Sequence, residues 1–341
     1  MKSKNIIYIF LAVLTFIVYF SSCEKMAFEK EIDNTPIENY DYLWNEVNEK
    51  YAFLEYKNVN WDSIYEVYLP HINSKMTNDS LFRVLGNMLN ELRDGHVNLF
   101  SPFNLSRYDI TLLGPVNINT RIIKDNYLGT DYYTTGSFVH NFINNGDIGY
   151  IRYSSFANSL ITDYELDFIL ERYENTQGLI LDIRQNGGGY VDNVQKLLSL
   201  FCNDERLLYE TQIKNGPNAN NFTLLESAYS NKTERDIYDK KIIVLTDRGS
   251  YSASSFFSVC TYAFDNVILV GDTTGGGLGL PNGGQLPNGW TYRFSITQTI
   301  AVNGQNYENG VPPNHTVILS DDAAETGIDN VIEFAVNLIK S

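Results

Sequence analysis

The run Leu179-Ile180-Leu181-Asp182-Ile183 is apolar but for one carboxylate, and it leads directly into Arg184-Gln185-Asn186-Gly187-Gly188-Gly189. A strand that is apolar on both faces needs cover on both sides, which is the condition of an interior strand in a helix-covered sheet. A second such strand, Lys241 to Leu245, ends in Thr246-Asp247-Arg248-Gly249-Ser250-Tyr251, ahead of a helix from Ala253 to Phe264. Strand Ile148–Tyr153, a helix near 163–174, a helix from Asp192 to about Phe201 and strand Val267 to Val270 complete the alternation. This βαβ order predicts a mixed α/β fold whose working edge lies at the strand C-termini, where loops 184–190 and 246–252 fall.

Upstream the period changes. Leu43, Trp44, Val47 and Tyr51 recur at helical spacing, then Trp61, Ile64, Val67 and Tyr68 up to Pro70. Thr77-Asn78-Asp79 is an N-cap signal ahead of Leu81, Phe82, Leu85, Met88, Leu89 and Leu92. These segments predict a small N-terminal helical bundle over residues 39–100. Residues 101–145 lack a long helical period, and the alternation Val116 to Ile123 predicts a strand. An α/β domain over 146–341 follows.

With 341 residues, 43% hydrophobic and 13% aromatic, the chain can build sizeable cores. Its net charge of −16, with no basic patch, argues against nucleic acid, whose phosphates need clustered Lys and Arg. Lys2 and Lys4 precede a 15-residue apolar run, Ile6 to Phe20, then Ser21-Ser22-Cys23. Charge, apolar run and small residues in that order read as an export leader, too short for an ordinary membrane span. The alternative is an uncleaved anchor helix, and either way the folded part is expected outside the cytoplasm. Residues 24–38 read as a tether. Cys202 and Cys260 lie in apolar surroundings, as a disulfide or as free thiols. The four histidines are far apart with no metal-ligand spacing, so neither metal nor cofactor is expected.

Two loops carry chemistry. Asp94-Gly95-His96 follows the third helix, where Gly95 can cap it and hold His96 on a fixed loop. Ser252 opens a helix, where the positive end of the macrodipole stabilises negative charge developing beside it. A serine hydroxyl is a weak nucleophile without a base, and no lysine lies between Lys241 and Lys340 to serve as one within that segment. That absence sharpens the case for His96 as the base. One backbone N–H of the Gly187-Gly188-Gly189 turn and that of Ala253 would complete an oxyanion hole. Glu308, in Tyr307-Glu308-Asn309-Gly310, could orient the histidine or another polar group. Each feature has a plainer reading, as a surface histidine, a capping serine, a tight glycine turn or a solvated turn glutamate.

Order and joint presence sharpen the choice. The helices with Trp44 and Trp61-Asp62, Leu92-Arg93-Asp94-Gly95-His96, Leu181 to Gly189, Ser252-Ala253-Ser254 and Glu308 to Pro313 together resemble the C-terminal-processing peptidase family of serine proteases, in its tricorn-like branch. The resemblance implies a core of the ClpP/crotonase-like kind and a polypeptide substrate. It also implies Ser252 as nucleophile, His96 as base, Glu308 as distal acid and an oxyanion hole from the backbone of Gly188, or its neighbour Gly187, and Ala253. The lysine of the Ser-Lys branch is replaced by Gly277, and 101–145 is too short for the PDZ domain many members carry. Ser255 stands where Ser-Ala-Ser-Glu members have glutamate. The leader resembles that of a bacterial lipoprotein, with Cys23 lipidated and the protein on the periplasmic or outer-membrane side of the envelope. Oligomeric state is left open. A non-catalytic protein binding peptides or small apolar ligands on the same scaffold is the competing expectation.

Overall fold

The computed structural model describes residues 33–341, so the segment expected to be a leader, Cys23 and most of the expected tether lie outside the described residues. Helix α1 (Pro36–Lys50) starts at Thr35, whose hydroxyl accepts from Glu38 N–H while the Glu38 carboxylate accepts from Thr35. Helix α2 (Trp61–Tyr68) is capped by Asn60 and α3 (Asn78–Asn90) by Thr77. Trp44 and Trp61 each donate an indole N–H to the other's carbonyl, at 3.1 and 3.0 Å, pinning α1 to α2. Leu85 and Met88 of α3 bury against Leu43 and Val47 of α1.

Two short strands follow, β1 (Asn98–Phe100) and β2 (Leu105–Arg107). The strand predicted over 116–123 is absent. Asn119 Oδ1 accepts from the Arg121 and Ile122 N–H groups and starts α4 (Thr120–Ile122), which widens into a π-type turn, Ile123–Leu128. A side chain that closes onto its own backbone competes with a ladder, and here it turns Ile122, Ile123 and Leu128 inward.

Then come β3 (Tyr133–Thr135), β4 (Phe138–Ile143), β5 (Ile148–Tyr153), α5 (Asp163–Tyr173), β6 (Gly178–Asp182) and α6 (Val191–Leu198). They are followed by β7 (Leu207–Ile213), β8 (Glu226–Tyr229), β9 (Lys241–Thr246), α7 (Ala253–Cys260) and β10 (Val267–Gly271). The chain closes with β11 (Pro281–Gln285), β12 (Thr291–Ser295), β13 (Thr297–Ala301), β14 (His315–Thr316), α8 (Asp321–Glu325) and α9 (Asn330–Lys340). The two helices expected to reach Phe201 and Phe264 stop earlier, at Leu198 and Cys260, the latter continuing as a 3₁₀ turn.

The main sheet runs β14-β10-β9-β6-β5-β4-β3, parallel from β14 to β5 and antiparallel beyond. Its apolar strands serve two cores. Leu179, Leu181, Ile242 and Val244 pack with α5, α6 and α7 through Leu166, Val194 and Phe257. Ile180, Ile243 and Leu245 pack with Val331, Ile332, Ala335 and Ile339 of α9. At about 1.5–3 kcal/mol per buried aliphatic side chain, this two-sided burial is why the central strands carry no polar alternation. Asp182 pairs with Leu245 across β6 and β9, so the two strands end level and their loops emerge side by side.

A second sheet, β11-β12-β1-β2, joins the two ends of the chain, with Asn98 opposite Arg293. Trp290, Tyr292 and Phe294 thereby enter the core of the N-terminal helices. That long-range pairing ties the loop bearing His96 to the sheet. A third sheet, β13-β7-β8, flanks the core. Cys202 and Cys260 are buried free thiols.

Candidate active site

The turn from β9 into α7 is organised by Asp247, whose Oδ1 accepts from the N–H groups of Gln185, Gly249 and Ser250. Ser250 Oγ donates to the Ile183 carbonyl at 2.8 Å and so binds this turn to the loop after β6. Ser255 Oγ donates to Ser250 O at 2.8 Å, and the buried Ser254 Oγ has no hydrogen-bond partner among the described residues. Ser252 occupies the N-cap position of α7 yet makes no capping bond. Its backbone is at φ 57°, ψ −121°, a conformation that costs a non-glycine residue about 1–3 kcal/mol. Bonds from Ser252 N–H to Gly276 O and from Phe256 N–H to Ser252 O hold it there.

The freed hydroxyl meets an imidazole. His96 Nε2 lies 2.9 Å from Ser252 Oγ, and His96 Nδ1 lies 2.9 Å from the carbonyl oxygen of Gly279. A carbonyl only accepts, so Nδ1 carries the proton, and in the neutral ring Nε2 is left as acceptor for the serine O–H. Burial lowers the His96 pKa, the Arg293 charge adds to this, and the Asp94 charge opposes it. The ring is therefore uncharged at neutral pH.

Behind the imidazole lies a polar cluster that the sequence did not single out. Asp94 is buried and accepts from His96 N–H (2.7 Å), Tyr51 OH (3.0 Å), Ser295 OH (3.0 Å) and Tyr251 OH (3.3 Å). Burial alone would raise its pKa, but Lys57, His96 and these donors hold it below the usual carboxylate range. Glu308 does not touch His96. Its Oε2 accepts from Leu278 N–H (2.7 Å) and Gly279 N–H (3.0 Å), so it fixes the peptide whose carbonyl holds Nδ1. Burial and the neighbouring Asp94 push Glu308 up to about 8, against the pull of Lys57, whose Nζ is 3.9 Å from Oε1.

The glycine loop abuts the serine. A Cβ on Gly188, at φ 93°, would lie 2.8 Å from Ser252 Cβ and 2.7 Å from Tyr251 O, so only glycine allows this approach. The Gly188 N–H donates to Asn186 Oδ1 at 3.0 Å. Gly187 and Ala253 line the same cleft as Ser252 and His96, a space of about 720 Å³. Ala253, first residue of α7, has no intrahelical acceptor for its N–H. The loop is rooted by Arg184, which is wholly buried and paired with Asp182 (2.7 Å) and Asp329 (3.0 Å). Gly277 leaves no room for a lysine, because a Cβ there would be 2.4 Å from Tyr251 Cζ.

Sequence reading brought Ser252, His96, Glu308, Gly187, Gly188 and Ala253 into consideration, and all six converge on this end of the sheet. It missed the Gly279 carbonyl, which has no side chain to signal it, and Asn186. Asp94 was visible in the Asp-Gly-His tripeptide, but nothing in the sequence tells that its carboxylate bonds the His96 backbone N–H and not a ring nitrogen.

A strained serine at a strand-to-helix turn, facing an imidazole at the C-terminal edge of a parallel sheet, is the architecture of a serine hydrolase. Residues 147–317 match the model of peptidase family S41, and residues 33–90 match the tricorn protease C1 domain. A peptidase structure from Parabacteroides merdae is 36% identical, with a TM-score of 0.85, covering 91% of this chain and 98% of that one. The chain belongs to peptidase family S41. Mature CPAF shares the fold at 13% identity, with a TM-score of 0.63 over 90% of this chain and 96% of that one. The carboxy-terminal processing protease CtpB of Bacillus subtilis (strain 168) is 26% identical over 181 residues, which is 48% of this chain and 36% of that protein. CtpA of the same organism is 24% identical over 54% of this chain and 38% of its own length. The chain thus spans little more than a third of the curated relatives it matches.

Proposed function

We propose that this S41 member is an exported, lipid-anchored serine endopeptidase that hydrolyses peptide bonds. The observation that carries the reading is the Ser252 Oγ to His96 Nε2 contact of 2.9 Å, with the opposite ring nitrogen fixed on a carbonyl. Ser252 Oγ attacks the scissile carbonyl while its proton passes to Nε2, and the imidazolium then protonates the leaving amine. Water repeats the sequence on the acyl-enzyme. Asp94 stabilises the transient imidazolium through space, and Glu308 is a positioning residue that acts through Gly279. Ala253 N–H and a glycine N–H of the facing loop, Gly188 or Gly187, are the oxyanion donors, Gly187 lining the cleft with Ser252. Gly188 would do so by exchanging its Asn186 bond for the oxyanion.

A fluorophosphonate is expected to label wild type and Ser254→Ala but not Ser252→Ala. Equal labelling of Ser252→Ala refutes the assignment. Export and anchoring rest on Lys2, Lys4, the Ile6–Phe20 run and Ser21-Ser22-Cys23. Cys23→Ser is expected to abolish incorporation of labelled palmitate, and retained label would overturn this part. Should wild type neither label nor cleave unfolded polypeptide yet bind peptide, the non-catalytic reading replaces the enzymatic one.

A further inference from the structure

The cleft in front of Ser252 carries a charge pattern unlike the rest of the chain. The protein has 41 acidic residues against 25 Lys and Arg, yet two arginines, Arg107 and Arg293, line this cleft with Ser252 and His96. Asn98 in β1, an inner strand of the second sheet, is paired with Arg107 on one side and Arg293 on the other. Residues directly opposite across a ladder project from the same face, so the three side chains form a row spanning about 10 Å. Arg293 Nε donates to Asn98 Oδ1 at 3.0 Å, which fixes the guanidinium plane. Its two terminal nitrogens make no hydrogen bond among the described residues, and neither arginine has a carboxylate within 4.0 Å among them. Among the residues lining the cleft the acid is Asp109: its Oδ1 accepts from the N–H and hydroxyl of Thr111, and these bonds, with the charge of Arg107, hold its pKa below the usual carboxylate range.

Arg293 stands on the imidazole side of the cleft, opposite and bonded to Asn98, two residues on from His96. The imidazole returns its proton to the leaving amine, so ground beside the ring faces the leaving-group half of a bound peptide. A planar guanidinium with two free donors, already oriented by an amide, matches the geometry of a carboxylate.

We propose that Arg293, supported by Arg107, is a carboxylate-binding subsite that selects peptides bearing a negative charge just beyond the scissile bond. The carboxylate comes from an Asp or Glu side chain or from a free C-terminus. This rests on the peptidase reading for its direction along the substrate, and its test is built to separate the two.

Three matched peptides are needed: one with Asp after the cleavage site and an amidated end, one neutral with a free C-terminus at that place, and one neutral and amidated. Their binding is measured on Ser252→Ala and their kcat/KM on wild type. One carboxylate peptide should exceed the neutral amide by roughly tenfold, the worth of a charge-assisted contact, and which one does so names the source. That ratio should approach one in Arg293→Gln, persist in part in Arg293→Lys, fall in Arg107→Gln, and shrink at high salt. Equal binding of all three peptides, or a preference that survives both arginine substitutions, overturns the subsite. If no peptide is cleaved and Ser252 is unlabelled while the binding preference and its loss in Arg293→Gln remain, the subsite stands and the peptidase reading falls.

Discussion

Replacing Asp94 with asparagine tests whether a buried charge that never touches the imidazole ring nonetheless controls it. The carboxylate accepts four hydrogen bonds, from His96 N–H, Tyr51, Ser295 and Tyr251. An asparagine amide keeps one accepting oxygen, which would stay on His96 N–H and Tyr251. Its NH₂ would face Tyr51 and Ser295, whose hydroxyls can rotate to accept. The shape survives, and what is lost is charge assistance, about 1 kcal/mol for each of four contacts, partly offset because a neutral amide is easier to bury. A net loss of about 1–3 kcal/mol in stability follows. The effect on chemistry is separate. The Asp94 charge raises the His96 pKa against burial, so its removal lowers that pKa further and leaves the imidazolium of the transition state without its counter-charge. At about 1.4 kcal/mol per pKa unit, kcat/KM should fall ten- to a hundredfold. The acid limb of its pH profile should move to lower pH, because the ring now stays neutral further down. The assay is kcat/KM against pH on an unfolded polypeptide substrate, with a thermal melt alongside. A melt lowered while kcat/KM and the acid limb stay in place would show that Asp94 is purely structural, and an acid limb moved upward would refute the electrostatic argument outright.

Glu308 gives a stability signature of opposite sign. An ordinary glutamate ionises near 4.5 and this one near 8, so between those values the folded state holds a proton that the unfolded state has lost. Stability from this group is therefore full below about 4.5 and declines as pH rises towards 8. Tm measured across that window should slope downward less in Glu308→Gln than in wild type, and identical slopes would remove Glu308 as the titrating group. Gly188→Ala adds a Cβ 2.8 Å from Ser252 Cβ at a backbone φ of 93°, combining left-handed strain with overpacking. Together these cost about 2–4 kcal/mol, and with the serine displaced by a fraction of an ångström the fluorophosphonate labelling rate should drop by about a hundredfold. Labelling at the wild-type rate with an unchanged melt would mean the loop and the serine turn are not packed as described.

Much of the frame was legible because it is written in local signals. Strands at Ile148–Tyr153, Gly178–Asp182 and Lys241–Thr246 announce themselves through short, largely apolar runs, and α1 to α3 through period and caps. The 116–123 segment failed for a reason of the same kind. Its β-branched alternation favours a strand, but Asn119 offers a local hydrogen-bonded start that the helix takes. In the site, Ser252 was put forward from its place at a helix start and from the motif Ser252-Ala253-Ser254, with capping as its plainer reading. The folded turn, with Ser250 and Ser255 bonded elsewhere and Ser252 uncapped, removes that plainer reading.

By itself, then, the chain order determined the layered α/β frame, the two loops at the strand ends and the residue types on them, since apolar period, glycine and capping chemistry act over a few neighbours. The tertiary structure alone decided that Gly279 O orients His96 across 183 residues, that Asp94 bonds the His96 backbone and not its ring, and that Arg107 and Arg293 flank one asparagine. Those relations arise from strand pairings between distant segments, where the partner is set by global packing and leaves no mark on either local sequence.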